Sequence, residues 1–495
     1  MHPLASETYR EIVSFFEELE RQYEDKSGGY DFAELLCSRV RFLAQEDQKA
    51  ILEFLFYQFE NDLRFGHLLP DVVRVLGAFE YVPRLIHAML MSHRIGVPEY
   101  FKVLSILVGT ETPPQALVNA VLQTIESLLQ QGNPEGVVLL ATLMQTGHGF
   151  FVKQMSEYLR RWLYESSSQH FTCYIDALAL SFSDFLSKES VLLLTTILWD
   201  NRPDSIVTLR QRIESNPLLL VSCKLQRYAL KILSQSDVYP SSLLSRLVGS
   251  NTDNPSVGNE VVQQVLYLIG NIEQTDTTGG HRLGELLSEE LRRMRSGDQR
   301  RVMEVLLYQF ENGLRYGHLL PDVVRLVGTP EDIQRSVEVM LKSPYISLKS
   351  YERIIKSVVY DCEKREQKAA AEKLRQVALN LIAQGSIDGV VLLASLTRTG
   401  IPSLSEEGVN FLRECVRYRA NERYAEYLDL FVFSYSDFLT AEGLLPFVHT
   451  LRNLHLADRD AIIGTIQQRL EFNPLLRLSC KALRKALETA RLFGA

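Results

Sequence analysis

Apolar residues recur along this chain at a spacing of three or four. In Ile51–Leu63 the set Leu52, Leu55, Phe56, Phe59 and Leu63 follows the i, i+3, i+4, i+7 order of a helix with one buried face. Stretches of strict alternation bounded by hairpin turns, the mark of paired strands, are absent. The pattern predicts an all-α chain whose helices run about ten to eighteen residues between short connections.

Start and stop residues punctuate these runs. Asn216-Pro217 and Asn473-Pro474 place a capping side chain before a proline in the first turn. Thr329-Pro330-Glu331-Asp332 spells a capping box. Asn133-Pro134-Glu135 and Ser386-Ile387-Asp388 offer the same capping chemistry with different residues. Gly77, Gly147, Gly328 and Gly400 each follow an apolar run and are expected to end it.

The chain also repeats itself. YQFENDLRFGHLLPDVVRVLG at Tyr57–Gly77 returns as YQFENGLRYGHLLPDVVRLVG at Tyr308–Gly328, with four differences. Further on, QGNPEGVVLLATLMQTG from Gln131 matches QGSIDGVVLLASLTRTG from Gln384. SFSDFL from Ser181 matches SYSDFL from Ser434, and ESNPLLLVSCKLQRYAL from Glu214 matches EFNPLLRLSCKALRKAL from Glu471. Order is kept throughout, which predicts a tandem duplication of a helical-repeat unit. We expect one lobe over residues 1–250, a linker over 251–259 within the turn-rich SNTDNPSVGN, and a second lobe over 260–495. Roughly forty residues per helix pair resembles HEAT and armadillo arrays in architecture, so an α-solenoid with two pseudo-equivalent lobes is the expected fold.

The 495 residues exceed what one hydrophobic core holds, which agrees with several cores or a repeat. The net charge is −8 and argues against nucleic acid as a partner. The one arginine cluster, Arg292, Arg293, Arg295, Arg300 and Arg301, is interleaved with Glu289, Glu290 and Asp298, as on a solvated helix face. Another charge-dense helix is expected over Tyr360–Ala383. The six cysteines, at 37, 173, 223, 362, 415 and 480, show no metal-ligand spacing and sit mostly in apolar helical context. That usage, with no apolar run of membrane-spanning length and no secretory leader pattern at the start, gives the expectation of a soluble cytoplasmic protein.

One constellation stands out. The first signature carries Glu60, Arg64, His67 and Asp71, and the second carries Glu311, Arg315, His318 and Asp322, with Asn61 and Asn312 beside them. Glu60 and Arg64 stand four apart and would pair on one helix face. Pro70 and Asp71 read as the next helix start, which leaves His67 at the corner. These eight residues are the expected partner-binding set, gripping a carboxylate or phosphate through the two arginines. The competing structural reading makes them a fastener that satisfies loose groups at helix ends. Asp62 against Gly313 is the one chemically large change within the signature.

No catalytic residue, cofactor or metal site is assigned. His67 with Asp71 offers two ligands where a zinc site needs three or four. The Ser-Asp of SFSDFL and SYSDFL has no histidine nearby in both segments, and Ser187 and Thr440 just beyond read as helix caps. P-loop, GxSxG, HExxH and GxGxxG patterns do not occur. The expected function is a protein-interaction scaffold that binds a protein or peptide, with bivalent binding by its two lobes. The alternative is an enzyme of helical fold with a site in a cleft between the lobes.

Overall fold

The computed structural model describes residues 6–23, 30–109, 111–164, 169–183, 188–201, 203–235, 259–275, 282–359, 365–439 and 443–492. Those residues form 28 α-helices and three short 3-10 turns, and no strand occurs among them. The expected linker through residue 258, Cys362, Ser187, Thr440 and the first five residues of the charge-dense helix lie outside the described residues. That helix is described over Arg365–Ala383.

Contacts divide the chain into two compact units, Met1–Ser181 and Phe182–Ala495. In the first unit the helices Gln45–Glu60 to Glu135–Met144 each pack on the helix two places earlier in the chain, which sorts them into two rows. One row runs through Gln45–Glu60, Val82–Met91 and Gln115–Gln130. The other runs through Tyr30–Val40, Leu69–Leu76, Val97–Val108, Glu135–Met144 and Gln169–Ser181. In the second unit the same two-row order joins Ser296–Glu311, Pro330–Lys342 and Arg365–Ala383 on one side. On the other it joins Leu283–Arg293, Leu320–Val327, Leu348–Val359, Ile387–Thr397 and Glu422–Phe433. The second unit also contains the helices Lys188–Asn201, Pro203–Ser215, Pro217–Ser222 and Lys224–Gln235, and Pro217–Ser222 packs on Glu422–Phe433.

The most heavily buried helices are the matched pair Glu135–Met144 and Ile387–Thr397. Every residue from Gly136 to Met144 and from Gly389 to Thr397 is buried. A helix apolar all round has no solvent face to give it amphipathic periodicity, which is why GVVLL runs unbroken in both segments. Each fully buried leucine there stabilises the fold by about 1.5–3 kcal/mol relative to exposure. Gly389 brings the preceding helix close, because a Cβ at that position would lie 2.6 Å from Ile382 N.

The capping chemistry read from sequence is present. Asn216 Oδ1 accepts from Leu218 N at 3.1 Å, and Asn473 Oδ1 accepts from Leu475 N at 3.0 Å. Thr329 and Asp332 close a reciprocal capping box. Ser386 Oγ accepts from Asp388 N, and Asn133 Oδ1 accepts from Glu135 N. Gly77, Gly147 and Gly400 end their helices in the left-handed region. Gly328 does not: its φ is −74°, because Thr329 begins the next cap at once and the chain leaves extended.

Candidate functional site

The two signatures fold into the same corner. The helix Gln45–Glu60 ends at Asn61, whose side-chain amide donates back to Tyr57 O at 2.8 Å, and Asn312 does the same to Tyr308 O at 2.9 Å. Asp62 (φ 53°) and Gly313 (φ 59°) then turn the chain through the left-handed region. A 3-10 turn, Gly66–Leu68 or Gly317–Leu319, folds back over the helix just left. The glycine is required by space: a Cβ at Gly66 would sit 2.7 Å from Phe59 Cα, and one at Gly317 would sit 2.6 Å from Gln309 O. His67 Nδ1 lies 3.0 Å from Arg64 O and His318 Nδ1 lies 2.8 Å from Arg315 O. A carbonyl only accepts, so the ring nitrogen carries the proton and donates. Pro70 and Asp71 open Leu69–Leu76, and Pro321 and Asp322 open Leu320–Val327, as expected.

The charged partners differ from those the spacing implied. Arg64 pairs with Glu20 at 2.6 Å, and Arg315 pairs with Glu273 at 2.9 Å. Glu60 instead accepts from Arg84, which is shared with Glu53 at 2.8 Å. The helix ends at Glu60 and the chain reverses at Asp62, so the i, i+4 face that would have joined Glu60 to Arg64 does not exist. Glu311 contributes its carbonyl, which accepts from Ser343 Oγ, while its side chain is exposed. Asp71 and Asp322 stand 3.3 and 3.6 Å from Arg74 and Arg325 one turn on. Burial pushes the Asp71 carboxyl above its ordinary value, against the pull of Arg74 and His67. The Tyr316 hydroxyl and then Arg315 hold Glu273 below its ordinary value. Thus each corner brings its histidine and helix-start aspartate close, while both arginines reach outward to a distant glutamate.

The second corner borders a cleft of about 390 Å³, within the range of ligand pockets. Its polar lining is His318, Asp322, Tyr345, Ser350, Arg353 and Ser357, and its apolar walls include Phe310, Leu314 and Ile354. Arg353 is exposed and has no ion-pair partner among the described residues. Sequence reasoning missed Tyr345, Ser350 and Arg353, because nothing in their local pattern departs from an ordinary amphipathic helix and its connection. Ser350 Oγ lies 3.4 Å from Ser347 Oγ and no described hydrogen bond joins it to His318, so a nucleophile–base relay is not assembled. No group of three metal-ligating side chains converges among the described residues.

In the second copy the Ser-Asp motif resolves into a cap, while Asp184 of the first lies outside the described residues. Asp437 accepts from Lys481 N at 2.9 Å and from Ala482 N at 3.0 Å, the first amides of the helix Lys481–Leu492. Of the arginine cluster, Arg293 pairs with Glu290 and Arg301 with Asp298 on exposed faces. No described helix is long and apolar enough to cross a membrane. No protein-family description, no curated protein and no solved structure matches this chain.

Proposed function

We propose that this chain is a protein-interaction scaffold that binds a peptide segment of a partner protein in the cleft beside His318 and Arg353. The segment would combine an apolar side chain with a carboxylate. Arg353 carries the reading: it is a guanidinium without an ion-pair partner among the described residues, set in the lining of a cleft of mixed polar and apolar walls. Phe310, Leu314 and Ile354 would take the apolar side chain, and Arg353 the carboxylate. Arg64 and Arg315 are already engaged by Glu20 and Glu273, which lowers their weight as contact residues. The two-row packing inside each unit suits an α-solenoid of two tandem lobes, 1–250 and 260–495, whose surfaces serve as the scaffold. Four of the five described cysteines are buried in the helical packing, as small apolar side chains are, in keeping with a reducing, cytoplasmic setting.

The test is an array of tethered peptides that alternate Leu with Glu, and a matched set alternating Leu with Lys. The full chain should bind the Glu set, and Arg353→Glu should lose that binding with its melting temperature unchanged. Equal capture of both sets, or capture insensitive to Arg353→Glu, refutes the assignment.

A further inference from the structure

We infer that the helix Lys224–Gln235 sets the shape of this cleft, with Lys224 and Tyr228 acting as positioning residues for its Tyr345–Ile346 wall. The inference rests on the cleft being a binding site.

That wall is a short connection between the helices Pro330–Lys342 and Leu348–Val359. Tyr345 and Ile346 both line the cleft. Near at hand, Tyr345 N donates to Ser343 Oγ at 3.2 Å, and Ser343 Oγ donates to Glu311 O. The stronger ties come from more than a hundred residues earlier in the chain. The Lys224 side chain is buried, at 5% exposure. Its ammonium donates to Leu341 O at 2.9 Å, Met340 O at 3.3 Å and Ile346 O at 3.5 Å, and it also contacts the Tyr351 hydroxyl. Two of these acceptors are last-turn carbonyls of Pro330–Lys342, at the negative end of the helix dipole, where a cation is favoured. The third fixes the backbone of the wall itself. One turn further along the same helix, the Tyr228 ring meets the Tyr345 ring edge to face, with centroids 5.9 Å apart.

The position of Tyr345 also accounts for the one large change within the signature. A Cβ at Gly313 would lie 2.7 Å from Tyr345 Cβ, so the tyrosine side chain packs here against a glycine. The first corner has Asp62 at that place and Arg94 where the second has Tyr345. There Ser92 Oγ donates to Asp62 Oδ1 at 2.8 Å, and Arg94 Nη1 donates to Asp62 O at 3.1 Å. Gly313 and Tyr345 therefore fit as a pair, and together they form the seat for Tyr228. Where the first corner has a polar hydrogen-bonded turn, the second has an aromatic contact that reaches the cleft.

The experiment uses the full chain and three variants, Tyr228→Ala, Tyr228→Phe and Arg353→Glu. The first readout is amide hydrogen exchange over residues 343–347. The second is the affinity for a fluorescein-labelled hexapeptide of alternating Leu and Glu. Loss of one aromatic contact should speed exchange in that segment about tenfold in Tyr228→Ala and weaken the peptide several-fold, while the melting temperature moves little. The two hydroxyls are also hydrogen-bonded, so Tyr228→Phe, which keeps the ring and loses that bond, should restore most of both effects. Arg353→Glu should abolish peptide binding and leave the exchange untouched. Unchanged exchange over 343–347 in Tyr228→Ala overturns the inference. A wild-type chain that ignores the peptide, while Tyr228→Ala still speeds the exchange, sinks the ligand reading and leaves the positioning of the wall supported.

Discussion

Arg398 and Glu352 form a buried ion pair whose removal should be asymmetric. Their side chains are 2% and 10% exposed, and two guanidinium nitrogens meet Glu352 Oε2 at 2.7 and 2.8 Å. Arg398 Nη1 also donates to Ser434 O at 2.9 Å, and Lys356 Nζ holds the other carboxylate oxygen at 2.7 Å. Replacing Arg398 alone strands a carboxylate away from water, which costs about 3–5 kcal/mol in such sites. Lys356 still reaches the carboxylate, so the low end of that range is expected. The matched place in the first unit shows a neutral solution. Gln145 stands where Arg398 does, Phe101 stands where Glu352 does, and Gln145 Nε2 lies 3.5 Å from Ser181 O, the counterpart of Ser434 O. Arg398→Gln combined with Glu352→Met removes both charges and keeps a donor for that carbonyl, so it should cost about 1 kcal/mol or less. The double variant is then the more stable by about 2 kcal/mol, a coupling that a double-mutant cycle reads directly. Urea denaturation followed by circular dichroism, with hydrogen exchange to localise the loss to the second unit, measures it. An Arg398→Gln chain within about 0.5 kcal/mol of wild type, or a double variant no better than the single, defeats the reasoning.

Two further outcomes follow from the same geometry. Gly317→Ala forces a methyl to within 2.6 Å of Gln309 O and should cost about 1–3 kcal/mol, whereas Gly297→Ala, in a helix with nothing within 4 Å, should gain about 0.5–1 kcal/mol; paired denaturation curves with the same sign would count against the packing argument. Burial raises the folded pKa of Asp71 above 3.8, so its stability term is fully present below that value and is lost as pH rises through the folded pKa. Glu352 is pushed up by burial but held lower still by Lys356 and Arg398, so its term is present above 4.5 and is lost as pH falls through the lowered pKa. Asp71→Asn should therefore stabilise the chain at neutral pH and lose that gain in acid, while Glu352→Gln destabilises at neutral pH and converges with wild type in acid; parallel profiles would refute the assignment.

What the sequence made legible were features that depend on neighbours a few residues away. The caps at Asn216, Asn473, Thr329 and Ser386 are local hydrogen bonds and were readable as such. So were parts of the corner, since Asn61 and Pro70 act within one turn of their own positions. The partners of its charges were not. Glu20 lies 44 residues from Arg64, and Glu352 lies 46 from Arg398. Periodicity says which face of a helix is buried, but not which other helix covers it. The Glu60–Arg64 expectation failed for a related reason: it carried helix geometry past a chain reversal at Asp62, a non-glycine residue at positive φ.

The divergence between the two corners separates fastening from contact more sharply than their likeness does. Asn61, Gly66 and His67 have the same roles as Asn312, Gly317 and His318, and each role is met inside the corner. A group satisfied by its own backbone gains nothing from change, so its retention in both copies carries no information about a partner. Asp62 and Gly313 are different, because each answers to residues outside the signature: Ser92 and Arg94 in one case, Tyr345 in the other. Glycine takes a positive φ with less backbone strain than aspartate, so the second corner forgoes a side-chain hydrogen bond without a matching conformational penalty. The space released admits Tyr345, and Tyr345 stands between Tyr228 and the cleft that Arg353 borders. A binding role is therefore better sought at Tyr345, where the copies differ, and at the cleft it walls than in the fastening contacts they share.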